Sequence, residues 1–121
     1  MKPEIFKDYE KKVLKLLTAD KLTIDQLNQV LHNPQFIEYE YTGNGYYLTV
    51  YQSVLSSERL VCSEPIILGY AENIVCGFVI YVENNELTLE CHSWGELNVP
   101  NNFREKKIEV EITSKEDMNN L

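Results

Sequence analysis

IVCGFVIYVENNELTLECH, residues 74–92, decides the fold. Cys76, Phe78, Ile80 and Val82 alternate before Asn84-Asn85, and Leu87, Leu89 and Cys91 alternate after it. Two period-two apolar runs joined by a two-residue polar turn read as a β-hairpin. Closing the turn at Asn84-Asn85 puts all seven apolar residues on one face. The other face then sets Glu83 beside Glu86, Tyr81 beside Thr88 and Val79 beside Glu90.

Upstream, residues 36–42 and 46–52 flank Asn44-Gly45, the strongest short-range signal for a type I′ hairpin. That turn predicts Tyr41 opposite Leu48, Tyr39 opposite Val50 and Ile37 opposite Gln52, with Glu40–Thr49 and Glu38–Tyr51 on the other face. Between the hairpins, residues 59–63 and 66–69 read as a strand or two interrupted by Pro65. A last strand over residues 107–113 alternates Ile108, Val110 and Ile112 with Glu109 and Glu111.

The first third of the chain is helical in period. Ile5, Phe6, Tyr9, Val13, Leu16 and Leu17 form one stripe of a helix over residues 3–19, with Lys7, Asp8, Glu10, Lys11, Lys12 and Lys15 on its polar side. A second helix over residues 24–32 starts at Thr23 as N-cap with Gln26 as capping-box partner and a Leu22/Leu27 staple, and Asn33-Pro34 stops it. The order predicts an α+β domain: two N-terminal helices packed on one face of an antiparallel sheet of about five to six strands. Residues 1–113 are read as that single domain and residues 114–121 as a polar tail.

Charge is distributed unevenly. No lysine occurs between Lys21 and Lys106, and residues 22–103 hold ten acids against a single cation, Arg59. A one-sign surface repels nucleic acid and anionic lipid and attracts cationic partners. No stretch approaches the roughly 18 apolar residues of a membrane span, and residues 1–12 hold no apolar signal core, which predicts a soluble cytoplasmic protein. Cys62, Cys76 and Cys91 are odd in number and widely spaced, as expected of free thiols in a reducing compartment.

The polar side of the sheet supplies the candidate binding residues: Glu38, Glu40, Tyr47, Tyr51, Tyr81, Glu83, Glu86 and Glu90, with Glu109 and Glu111 on the same side. An antiparallel sheet with one face in water looks much like this. A merely solvated face, however, interleaves both signs, because like charges directly opposite each other cost roughly 0.2–1 kcal/mol. Acids without lysines, in the company of tyrosines, point to recognition of a basic protein.

Glu90, Cys91, His92, Ser93, Trp94, Gly95 and Glu96 concentrate reactive residue types. Alternation sends Cys91 inward and His92 outward, so without a bulge they cannot form a nucleophile–base pair. Glu90 and His92 share a face and could pair or ligate a metal if Glu96 joined them. The simpler expectation is that Trp94 packs, Gly95 turns and His92 pairs with a neighbouring carboxylate. His32, at the end of the second helix, suits the negative end of its dipole. No phosphate-binding loop, nucleophile elbow or zinc motif is present, so no catalytic residue, metal or cofactor is assigned, and the basic side chains form no nucleic-acid footprint.

In size, acidity, helix-then-sheet order and the stretch GFVIYVENNELTLECHSWGE, the chain resembles, at the level of class, small bacterial immunity proteins (antitoxins) of polymorphic or contact-dependent toxin systems. No motif aligns, and no residue role is carried over. The resemblance implies a cytoplasmic protein that neutralises a cognate basic toxin, often a nuclease, by covering its active or substrate-binding site. A phage-type DNA-mimic inhibitor of a host enzyme would use the same surface. A small enzyme or metal-binding protein centred on Glu90, His92 and Glu96 is the other alternative. The sequence leaves the oligomeric state open.

Overall fold

The computed structural model describes residues 4–113. The tail expected at 114–121 lies outside the described residues. The elements are α1 (Asp8–Leu17), α2 (Ile24–His32), β1 (Gln35–Tyr41), β2 (Gly45–Tyr51), β3 (Leu60–Cys62), β4 (Ile66–Ala71), β5 (Ile74–Glu83), β6 (Glu86–Ser93) and β7 (Glu109–Thr113), with a 3₁₀ turn at Phe103–Glu105. All pairings are antiparallel, in the order β1-β2-β6-β5-β4-β7.

The sheet has seven strands, more than the five to six expected. Proline cannot donate to a ladder, so Pro65 divides the 59–69 stretch into two short strands. Both then lie along the same side of β5, Leu60–Cys62 against Val82, Tyr81 and Ile80, and β4 against the Gly77 end.

The β5–β6 hairpin has the register that alternation predicts, from Glu83 opposite Glu86 to Phe78 opposite Cys91. Asn84 and Asn85 both take positive φ, 55° and 63°, as a type I′ turn requires. The tip is also fastened. Asn84 N and Asn85 N donate to Ser57 O and Ser56 O, and Asn85 Nδ2 donates to Leu55 O at 2.5 Å.

The β1–β2 hairpin slips by two residues from its expected register: Tyr41 faces Tyr46, Glu40 faces Tyr47 and Tyr39 faces Leu48. Its loop is Gly43-Asn44, closed by Thr42 N donating to Gly45 O, with Gly43 at φ 92°. Gly45 is needed elsewhere. A Cβ there would lie 1.9 Å from Cys91 O, so Gly45 is what lets β2 approach β6. A shift of two keeps every side chain on its expected face. That holds as far as Glu38; a bulge between Phe36 and Glu38 then leaves Ile37, expected opposite Gln52 on the core face, without a ladder partner and exposed.

The second helix has the expected bounds, and its capping box is complete, with Gln26 N donating to Thr23 Oγ1 and Thr23 N to Gln26 Oε1. α1 begins at Asp8, five residues after the expected start at residue 3. Phe6, Tyr9, Val13, Leu14 and Leu17 join one buried cluster with Val30 of α2, Tyr46, Leu48 and Val50 of β2, and the inward residues of β5 and β6. Each fully buried side chain of this size contributes about 1.5–3 kcal/mol.

Candidate functional site

Alternation along β2 sends Tyr46, Leu48 and Val50 into the core and Tyr47, Thr49 and Tyr51 to the opposite face. Ladder partners share a face, so three rows run across the sheet. One is Glu40, Tyr47, Glu90 and Val79; the next is Glu38, Thr49, Thr88 and Tyr81; the last is Tyr51, Glu86 and Glu83. A hydroxyl contact of 2.9 Å between Thr49 and Thr88 ties the middle row. All eight candidate residues therefore lie on β1, β2, β6 and β5, side by side. Glu109 and Glu111 stand farther off on β7, opposite Tyr70 and Leu68.

Glu90 is a part-buried acid of this face. Its side chain is 20% exposed, Tyr81 Oη donates to it at 3.4 Å, and His92 Nδ1 lies 3.6 Å away. Tyr47 lies opposite Glu90 in the ladder, and that carboxylate, as acceptor and as charge, raises the Tyr47 phenol above its usual range. Burial and the same carboxylate raise Tyr81. Glu83 is paired with Arg59 at 3.2 Å, and the Arg59 guanidinium sits 5.2 Å from the centre of the Tyr81 ring. Both partners of that pair are exposed, so it adds at most about 1 kcal/mol. Glu38, Glu40 and Glu86 make no ion pair among the described residues.

The reactive run at the end of β6 resolves into packing. Cys91 is buried on the core side and His92 half-buried on the other. The neighbouring Cys76 thiol, together with burial, pushes the Cys91 thiol up, the opposite of what a nucleophile needs. Trp94 and His92 lie over Gly77 of β5, where a Cβ would meet Trp94 Cε3 at 2.7 Å and His92 Nε2 at 2.8 Å. Among the described residues, no group of three or more His, Cys, Asp or Glu side chains is arranged to hold a metal ion, so Glu96 does not complete a set with Glu90 and His92.

Sequence reasoning placed Glu10 on the solvated side of its helix, and the structure corrects this. Glu10 is fully buried. Its Oε1 accepts from Lys7 N and Arg104 Nη2, both at 2.7 Å, and its Oε2 accepts from Arg104 Nε at 2.8 Å and Tyr46 Oη at 2.5 Å. Arg104 also lies over the Tyr39 and Tyr46 rings, at 5.4 and 5.7 Å. Burial alone would lower the Arg104 guanidinium, but hydrogen bonds and charge from Glu10 outweigh it and raise it. Burial, then the charge of Glu10, raises the Tyr9 and Tyr46 phenols well above their usual range. The one local signal was Glu10 at the third helical position, where its carboxylate reaches back to Lys7 N.

Comparison with known protein families, curated proteins and solved structures finds no match. Among the described residues, no helix is long and apolar enough to cross a membrane.

Proposed function

We propose that the chain is an acidic protein-binding module, an immunity protein or antitoxin that neutralises a cognate basic toxin by covering its active or substrate-binding site. The reading takes α1 and α2 as one layer behind the sheet and the opposite face as the docking surface. One observation carries it: Glu38, Glu40, Tyr47, Tyr51, Tyr81, Glu83, Glu86 and Glu90 share one face of four neighbouring strands, and Arg59 is the only Lys or Arg side chain paired there among the described residues. Such a face steers a cationic partner and gives it rigid aromatic contact area. The module acts in the cytoplasm and performs no catalysis of its own.

The test is a tagged pull-down from the native host with mass spectrometry. A basic protein should co-purify, be toxic when expressed alone, and be silenced by co-expression of this chain. If only acidic or neutral proteins co-purify, the reading is wrong. A co-purifying nucleic-acid enzyme that is harmless to its host would instead indicate a DNA-mimic inhibitor.

A further inference from the structure

We propose that the outer face selects arginine over lysine: the partner docks with an arginine whose guanidinium lies on the Tyr47 ring and pairs with Glu90. This rests on the reading of the face as the docking surface for a basic protein. The chain contains two arginines, and it holds both in one way. Arg104 lies over Tyr39 and Tyr46 and forks onto both oxygens of Glu10. Arg59 lies over Tyr81 and reaches Glu83 at 3.2 Å. A planar guanidinium stacks on a ring and bonds a carboxylate at the same time, whereas an ammonium is a strongly hydrated point charge that does neither as well.

The same arrangement occurs a third time without its cation. Tyr47 stands between Glu40 and Glu90, its two ladder partners, and is 36% exposed. The Glu10 and Glu83 charges are each matched by an arginine of the chain. Glu90 has the Tyr81 hydroxyl at 3.4 Å, His92 Nδ1 at 3.6 Å and Tyr47 as its ladder partner, and no Lys or Arg pairs with it among the described residues. Glu90 is therefore oriented, part-desolvated and short of a cation, which is the state in which a stacked, charge-assisted pair is strongest. The ring on which a third guanidinium would lie stays open to solvent.

Hexa-arginine and hexa-lysine peptides of equal charge test this when titrated into the full chain at low salt. Binding is read from the fluorescence of Trp94, the single tryptophan, and from backbone NMR shifts. Hexa-arginine should bind about tenfold more tightly and shift Tyr47, Glu90 and their neighbours. Tyr47→Leu should remove the preference by weakening hexa-arginine more than hexa-lysine, and Glu90→Gln should weaken both peptides. Equal affinities with shifts on this face, or a preference that survives Tyr47→Leu, would overturn arginine selection and leave the basic-partner reading standing. Shifts confined to other surfaces, or none with either peptide, would overturn both.

Discussion

Tyr46 and Tyr47 are consecutive in β2, point to opposite faces of the sheet, and each meets a glutamate: Tyr46 donates to Glu10, and Tyr47 lies opposite Glu90 in the ladder. The chemistry is the same and the outcomes differ. On the inner side, Glu10 has no exposure and is matched by Arg104, so the cluster ties the start of α1, β2 and the 3₁₀ turn together. On the outer side, Glu90 keeps partial exposure and has no lysine or arginine of its own among the described residues. Burial with a fixed cation makes a Tyr–Glu unit part of the fold, and exposure without one leaves the unit free for a partner.

The largest expected effect is on the inner side. Arg104→Ala strands the buried Glu10 carboxylate and should destabilise the protein by about 3–5 kcal/mol in denaturant unfolding, while an apolar replacement of both partners should recover most of the loss. A single variant as stable as the parent would mean the inner cluster is no more structural than the outer one.

The next effect is on the outer side and in kinetics. Reversing Glu83 and Glu86 together to Lys should slow association with the basic partner by about tenfold and flatten its salt dependence. Folding stability should stay within about 0.5 kcal/mol. Unchanged association would argue that another face docks.

A smaller effect is expected of the inner phenols at alkaline pH. The Tyr9 and Tyr46 phenols are raised in the folded chain above the ordinary 10.0, so the folded state keeps protons that the unfolded state releases. Stability is then full below about pH 10 and falls as pH rises beyond it. Denaturant midpoints across the alkaline range should show that slope reduced in Tyr46→Phe. Equal slopes in parent and variant would remove Tyr46 as a cause.

The smallest effect is expected of Gly77→Ala, whose Cβ has the rings of Trp94 and His92 as its nearest neighbours. It should change stability by less than about 1 kcal/mol while altering Trp94 emission.

Much of this contrast was legible beforehand, and the parts that were not share a cause. Alternation alone gave the β5–β6 register because Asn84-Asn85 offers a single two-residue turn. Gly43-Asn44-Gly45 offers two turns with the same alternation, and the choice between them is made by the distant Cys91 carbonyl pressed against Gly45. The faces survived the error, which is why the outer residues could be named from sequence. Pro65 was visible, but whether its two flanks both found room along β5 was not, hence the miscounted strands. Glu10 was misplaced because its cation, Arg104, is 94 positions away, and a helical stripe read from neighbours alone marks any glutamate as solvated.

The fastened tip of the β5–β6 hairpin has a practical consequence for anyone labelling the molecule. A two-asparagine turn ordinarily accepts an epitope, a cleavage site or a fused fluorophore. Here the same two residues hold Leu55, Ser56 and Ser57 by their carbonyls, so an insertion would unpin the segment joining β2 to β3. The exposed Glu72-Asn73 turn, whose Glu72 pairs with Lys106 at 3.4 Å, is the better place to open the chain.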